Sequence, residues 1–270
     1  MTYCLTSFIF KLSSHGIKRK KMNTNITYSI IAAIGVLSFL AFQNRNIFEK
    51  YLFSVERILK KHEYHRIITS AFIHADFGHL LFNLFSFYAF ATGIETAYGS
   101  PALTIIFLAG AVAGSLLSLM LHRKEPAYRA VGASGAVCGV IFASIFLLPG
   151  GSIIIFPLPI PMPAWTYAIL FILASIYGIG RNVGNIGHDA HLGGALAGVA
   201  AAYIIFPESV TGNPFLVAAI VIPVVLFFIL KNKISFLKRK KQVFKSKTAG
   251  MRNTSALYYK SQNRNPCRYL

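Results

Sequence analysis

Two long stretches almost without charge constrain this chain more than any other feature. Residues 130–180 contain no Asp, Glu, Lys or Arg, and residues 77–121 contain only Glu95. A soluble domain carries charge on its exposed faces, and about 25% of its residues are charged. Here 13% are charged and 55% are apolar. These values exclude a soluble single-core enzyme and a disordered chain, and predict an all-α polytopic membrane protein.

The positive charge is concentrated at the two ends of the chain. Of the 27 Lys and Arg residues, 5 lie in residues 1–25 and 12 in residues 231–270, and neither stretch contains an acidic residue. Basic flanks around apolar spans are typical of cytoplasmic ends that contact anionic lipid. No nucleic-acid-reading motif accompanies the charge, so we expect the lipid bilayer as a partner and no nucleic acid. Met22 directly follows the basic cluster and is a candidate start, which would make residues 1–21 an upstream extension.

Seven segments come close to the roughly 20 apolar residues that cross the hydrocarbon of a bilayer. Six of them form a predicted core over residues 26–206, a seventh lies within 207–231, and a basic tail fills 232–270. The proline-rich piece Phe156–Pro163 cannot be continuous helix. The predicted spans are 26–43, 79–98, 101–121, 131–149, 164–180, 187–206 and 214–230.

The orientation of these spans contains a conflict. Basic residues before the first span place the N-terminus in the cytoplasm. Seven spans then put the basic C-terminal tail outside, against the same rule. We keep the N-terminus inside, and the side of the tail stays open.

Polar side chains at membrane depth are costly, so each is a candidate for a functional site. His79 opens the second span, Ser134 the fourth and His191 the sixth. Because alternate spans run parallel, these three residues are expected near the same, extracytoplasmic face. The full set of candidates is His74, His79, Asn83, Ser134, His188 and His191.

A Gly-x-Ser-Gly turn precedes one span and a histidine with a glycine face opens another. Ser134 at a helix start would leave the neighbouring backbone N–H groups free to stabilise an oxyanion. Gly135 and Gly139 after the serine, and Gly194 and Gly198 after His191, would let the two helices approach closely enough for a Ser–His dyad. The alternatives are plain helix packing for the glycine-rich turn and a structural hydrogen bond for the histidine.

Two other arrangements are weaker. Asp189 precedes His191 by two positions, so on a helix their side chains point apart and a third triad member is not expected. The four candidate histidines could bind a metal ion, but the chain has no HExxH motif and only Asp76 and Asp189 lie nearby. We therefore expect no metal and no cofactor.

Taken together, these motifs resemble those of the rhomboid family of intramembrane serine proteases, over about residues 26–206. The matching segments are 65–74 followed by His79 and Asn83 in H-x4-H-x3-N spacing, then Gly93, Glu95 and Gly99 in G-x-E-x3-G, then 132–135, then 190–194. The resemblance implies a rhomboid-like six-helix bundle with an added seventh helix.

The resemblance also implies roles for individual residues. Ser134 would be the nucleophile and His191 its general base and then its acid. His79, Asn83 and the Ser134 N–H would form the oxyanion hole. Arg66 and Glu63 would hold the first loop, His74 would shape the site, and His188 would contact substrate or hold water. Two positions depart from the family pattern, since His65 replaces a tryptophan and Cys138 replaces an aromatic residue that packs on the catalytic histidine.

The resulting hypothesis is a serine endopeptidase that cleaves single-span membrane proteins near the extracytoplasmic face of a bacterial inner membrane. The main alternative is a catalytically silent relative that binds or escorts membrane helices, although such relatives typically lack the serine or the histidine. A transporter would need matched interrupted helices in two halves, and the sequence contains no such repeat.

Overall fold

The computed structural model describes residues 25–155, 158–181 and 187–231, and helices occupy all seven predicted spans. The predicted all-α membrane architecture is confirmed. The chain divides into two compact units, 1–221 and 222–270. The predicted basic ends, including Met22, lie outside the described residues apart from Asn25.

The described part of the chain contains ten α-helices, one short 3-10 helix and four short strands, joined by loops. The helices are α1 Asn25–Gln43, α2 Arg45–Tyr51, α3 Val55–Lys61, α4 Arg66–Thr69, the 3-10 helix Ser70–Phe72, α5 Phe77–His122, α6 Ser134–Leu147, α7 Ala164–Arg181, α8 His188–Ile205, α9 Pro207–Thr211 and α10 Pro214–Lys231. The strands are β1 Phe53–Ser54, β2 Arg129–Ala130, β3 Ser152–Ile155 and β4 Leu158–Pro163.

The long helix α5 contains both the second and the third predicted span. Its 46 residues would measure about 69 Å at 1.5 Å per residue, roughly twice the thickness of the hydrocarbon core. The helix is broken at Gly99, whose φ of 86° and ψ of 166° are not helical. Glycine adopts a positive φ without steric cost, which explains the break at the predicted turn between the two spans.

Glu95 holds this break and the start of α1 together. Its buried carboxylate accepts hydrogen bonds from the backbone N–H groups of Ile26 and Thr27, both at 3.0 Å, and from the hydroxyls of Thr27 at 2.5 Å and Ser100 at 2.6 Å. The first N–H groups of a helix lack partners within the helix, so an anion at this position stabilises them. The one acidic residue of the 77–121 stretch therefore has a structural role.

The lengths and surfaces of the helices suit a bilayer. Within the described ranges, four helices are long and apolar enough to cross a membrane, namely α1, α5, α7 and α10. Large apolar side chains are exposed on their surfaces, for example Phe39, Ile105 and Leu170. Exposure of so many large apolar side chains would be a liability in water and is expected against lipid.

The fourth predicted span is shorter than expected. It was predicted over 131–149, whereas α6 has 14 residues and begins only at Ser134. The residues before the helix are held out of helical geometry by bonds to other segments, and Gly132 has a φ of 122°.

Short antiparallel strands flank the helices and were not predicted from the sequence. β1 pairs with β2, and β3 pairs with the proline-rich β4. The prediction that the proline-rich piece is not helical is confirmed for residues 158–163, while residues 156–157 lie outside the described part. A proline lacks the N–H that a helix needs. It is tolerated in β4 because both strands of a two-stranded sheet are edge strands.

Helices α5, α6 and α8 pack against one another at the centre, with α1 against α5 and α7 against α8. Glycines make this packing possible. A Cβ at Gly194 would collide with the carbonyl oxygen of Gly135, and a Cβ at Gly198 with that of Gly139. The two glycine faces predicted from the sequence therefore meet directly between α6 and α8.

Candidate active site

Ser134 occupies an exceptional position in α6. All 13 residues that follow it in the helix are buried, whereas Ser134 is partly exposed. No side chain caps this helix start within the described part of the chain. The first N–H groups of α6 are therefore available to an external acceptor, as oxyanion stabilisation requires.

The residues that lead into Ser134 are fixed by the segment before α5. The N–H of Gly132 donates to the carbonyl oxygen of Ser70 at 2.9 Å, and the N–H of Ala133 donates to Nε2 of His74 at 3.3 Å. A Cβ at Gly132 would lie 2.6 Å from Cε1 of His79. The approach of His79 and the positive φ both require glycine at this position.

His74 is a completely buried link between three segments. Because its Nε2 accepts from Ala133, the neutral ring carries its hydrogen on Nδ1 and donates it to Oγ of Ser38 at 2.9 Å. The Ser38 hydroxyl in turn donates to the carbonyl oxygen of Phe72 at 3.1 Å. Burial lowers the pKa of His74 to about 3, so the ring stays neutral. His74 thus positions the backbone before Ser134, in line with the shaping role that the resemblance implied.

His79 and Asn83 lie on the first turns of α5. The N–H of His79 donates to Oδ1 of Asp76 at 2.8 Å, which caps the helix, and the His79 ring stands edge-on to His74 with centroids 4.9 Å apart. Asn83 is buried, and its Nδ2 donates to the carbonyl oxygen of His79 at 3.0 Å. The His79 ring therefore reaches the residues just before Ser134, and Asn83 is held one turn further along.

His191 lies in the first turn of α8, beside the start of α6. A Cβ at Gly135 would lie 3.2 Å from the carbonyl oxygen of Ala190, so the residues adjoining Ser134 and His191 are in close contact. Among the described residues no hydrogen bond joins Ser134 to His191. Catalytic hydrogen bonds are often long in free enzymes and tighten with substrate.

The aromatic neighbour of His191 comes from α7, a helix that the sequence predicted without connecting it to the site. The ring of Phe171 in α7 lies 6.0 Å from the His191 ring, between centroids, at an interplanar angle of 31°. Cys138, which replaces the aromatic residue of the family pattern, is buried in α6. Phe171 therefore lies beside the His191 ring, and the tertiary packing of α7 places it there.

His188 packs into a notch in α7. A Cβ at Gly178 would collide with its ring, and the ring stands edge-on to His191 with centroids 6.3 Å apart. Its Nε2 is buried and has no hydrogen-bond partner among the described residues. Within the same residues, no group of three or more His, Cys, Asp or Glu side chains could hold a metal ion.

Arg66 and Glu63 organise the segment between α1 and α5. The Arg66 guanidinium is buried and donates to Oε2 of Glu63 through Nε at 2.7 Å and Nη2 at 2.6 Å. It also donates to the carbonyl oxygens of Glu49 at 2.9 Å and Leu52 at 2.7 Å. The hydrogen bond from Arg66 holds the pKa of the Glu63 carboxyl below its ordinary value. His65 is exposed next to this cluster.

This ion pair predicts a pH dependence of stability. Since the pKa of Glu63 is lower in the folded state, its contribution is complete above the unfolded-state value of about 4.3 and is lost as pH falls through the folded value. Unfolding temperatures in detergent should therefore fall more steeply between about pH 5 and 3 for the native protein than for Glu63→Gln. Parallel curves for the two proteins would contradict the prediction.

The fold and the site define a polytopic membrane protein in which a helix-start serine and a histidine lie beside each other where α5, α6 and α8 meet. The family model named Rhomboid domain matches residues 61–208, more than half of the chain. The chain belongs to the rhomboid family. Membership supports an intramembrane protease-like function.

Several curated proteins are similar to this chain. RHOMBOID-like protein 12, mitochondrial, of Arabidopsis thaliana is 33% identical over 62% of this chain and 54% of its own length. Rhomboid protein 1, mitochondrial, of Saccharomyces cerevisiae is 35% identical over 49% of this chain and 39% of its own length. Rhomboid protease GluP of Bacillus subtilis is 28% identical over 54% of this chain and 27% of its own length.

The chain thus spans about a quarter to a half of the length of these relatives. The names of the first two place those proteins in mitochondria. A multi-pass membrane location is supported for this chain, whereas the predicted bacterial inner membrane is not.

Proposed function

We propose that this protein is an intramembrane serine endopeptidase that cleaves membrane-spanning segments with a Ser134–His191 dyad. The observation that carries the proposal is the position of Ser134, the single residue of α6 that is not buried, beside the first turn of α8. A serine retained only for helix packing would be covered like the thirteen residues after it.

In the proposed reaction, Oγ of Ser134 attacks the carbonyl carbon of the scissile bond and His191 takes the hydroxyl proton. The oxyanion that forms is stabilised by the Ser134 N–H together with His79 and Asn83. The bond to nitrogen then breaks, and His191 gives its proton to the leaving amine. A water activated by His191 hydrolyses the acyl-enzyme and restores the serine.

The physics of the bilayer limits the substrates of such an enzyme. A membrane-spanning helix has all its backbone carbonyls paired, so it must unwind locally before one of them can be attacked. We therefore propose single-span proteins with helix-weakening residues as substrates. Because the starts of α5, α6 and α8 lie together, cleavage would occur near one membrane face, and the basic N-terminus favours the extracytoplasmic face.

The alternative is a catalytically silent protein that binds membrane helices. It shares the fold and needs neither the hydroxyl nor the free N–H groups at the start of α6. The two functions differ in whether Ser134 reacts.

The test is a cleavage assay on the full chain in detergent, with a panel of single-span reporters and mass-spectrometric mapping of the cut. We expect cleavage near one end of the span that survives a chelator and is lost in Ser134→Ala. Cleavage that persists in Ser134→Ala would refute the dyad, and loss with a chelator would favour metal chemistry. Reporters that co-purify uncut, with Ser134 unreactive to a fluorophosphonate, would favour the silent alternative.

A further inference from the structure

A polar cluster outside the dyad joins the loop before α6 to the first turn of α8. The hydroxyl of Tyr128 donates to Oδ2 of Asp189 at 3.3 Å, and Nε2 of His122 lies 3.3 Å from the same oxygen. The rings of His122 and Tyr128 are stacked, 3.7 Å apart at 7°. On its other side, Nδ1 of His122 lies 2.9 Å from Oε2 of Glu125.

Burial of the Asp189 carboxylate carries a cost in desolvation free energy. The side chain is 6% exposed, and a buried carboxylate is tolerated only when it is paired and hydrogen-bonded. Burial and the charge of Asp189 both raise the pKa of the Tyr128 phenol, so Tyr128 remains protonated and able to donate. The Asp189 carboxylate faces Tyr128 and His122, and two positions along the helix from His191 its side chain points away from that ring.

The Tyr128–Asp189 hydrogen bond joins a residue close in sequence to Ser134 with a residue close in sequence to His191. Asp189 is two residues before His191, on the same helical turn. Tyr128 is six residues before Ser134, and its own carbonyl oxygen accepts from the N–H of Val55 at 3.2 Å. The residues between Tyr128 and Ser134 are fixed in turn by the β1–β2 pairing and by the bonds from Gly132 and Ala133 already described.

We propose that Asp189, held by Tyr128 and His122, is a positioning residue that sets His191 relative to Ser134. This inference rests on the proposed function. Asp189 acts through the backbone of α8 and touches neither the substrate nor the reacting atoms. The starts of α6 and α8 also pack against each other and against α5 through glycines, and the Tyr128–Asp189 bond adds a direct polar tie between the loop before α6 and the first turn of α8.

The test compares Tyr128→Phe and Asp189→Ala with the native chain in the reporter assay. Tyr128→Phe removes only the hydroxyl and keeps a ring to stack on His122. We expect kcat to fall about tenfold or more with KM nearly unchanged, since small displacements of reacting groups are costly. The double variant should be no slower than Asp189→Ala alone, because both changes break the Tyr128–Asp189 hydrogen bond.

Tyr98→Phe is the matched control. It removes the hydrogen bond from the Tyr98 hydroxyl in α5 to the carbonyl oxygen of Leu147 at 2.9 Å. Leu147 lies at the opposite end of α6 from Ser134. It should lower the unfolding temperature comparably and leave kcat unchanged. Amide hydrogen exchange in residues 187–195 should increase in the two Asp189-link variants and not in the control.

The outcomes separate this inference from the proposed function. If the native chain cleaves reporters and Ser134→Ala does not, the function holds. Full kcat in Tyr128→Phe and Asp189→Ala would then overturn the positioning role alone. An equal loss of kcat in Tyr98→Phe would also overturn it, since the effect would be one of general stability. A native chain that cleaves nothing refutes the function and the positioning role with it.

Discussion

Ser134→Ala is expected to lower the cleavage rate by about 10⁴-fold or more, because it removes the nucleophile while leaving the fold intact. His191→Ala should cost a similar factor, since the two residues act as a unit and losing either disables the same step. The double variant should be no slower than either single one. The measurement is the initial rate on one reporter, with fluorophosphonate labelling of Ser134 as a second readout that both substitutions abolish.

Ser144→Ala is the matched control for this prediction. Ser144 lies in the same helix, is fully buried, and donates its hydroxyl to the carbonyl oxygen of Ile141 at 2.7 Å. The same chemical change there should leave the rate and the labelling essentially unaltered. Equal losses from Ser134→Ala and Ser144→Ala would mean that the assay reports helix packing rather than a reacting hydroxyl.

The second large effect is expected from Gly194→Ala. The added Cβ would collide with the carbonyl oxygen of Gly135, the residue after Ser134, and neither backbone can yield without moving a helix. Overpacking of this kind costs about 1–3 kcal/mol of stability. Because the collision separates α6 from α8, and with them Ser134 from His191, we expect a loss of about 10²-fold in kcat/KM as well. Unfolding temperature in detergent and reporter kinetics measure the two effects.

Gly35→Ala provides the comparison, because a Cβ at Gly35 in α1 would meet nothing within 4 Å. A helical glycine in open space gains roughly 0.5–1 kcal/mol on replacement by alanine, so this variant should be as stable as the native chain or slightly more so. If Gly194→Ala behaved like Gly35→Ala, the close approach of α6 and α8 would not be needed for folding or for activity.

Much of the fold could be predicted from the sequence, because the bilayer allows few solutions. Apolar runs bounded by charge are found as helices at all seven expected positions, with ends within about three residues of the expected ones. The proline-rich segment was correctly excluded from helix over residues 158–163. The start of α6 was placed three residues early, since hydropathy alone cannot detect that Gly132 and Ala133 are bonded to Ser70 and His74.

Only part of the candidate site could be predicted from the sequence. Spacing placed Ser134, His191 and His79 at helix starts on one face, because alternate spans run parallel. Phe171 and Tyr128 carried no recognisable signal. Each reaches the site from a different segment, and no periodicity along one helix encodes a contact with another.

The sequence by itself determined the class of protein, the positions of the spans and the residues able to do chemistry, because hydropathy and residue type are local properties. The tertiary structure decided how those residues are held: Glu95 at the start of α1, His74 behind Ala133, Phe171 over His191, and Asp189 turned toward Tyr128. The physical reason is that hydrogen bonds and ring contacts depend on distances of a few ångströms between segments as far as 69 residues apart.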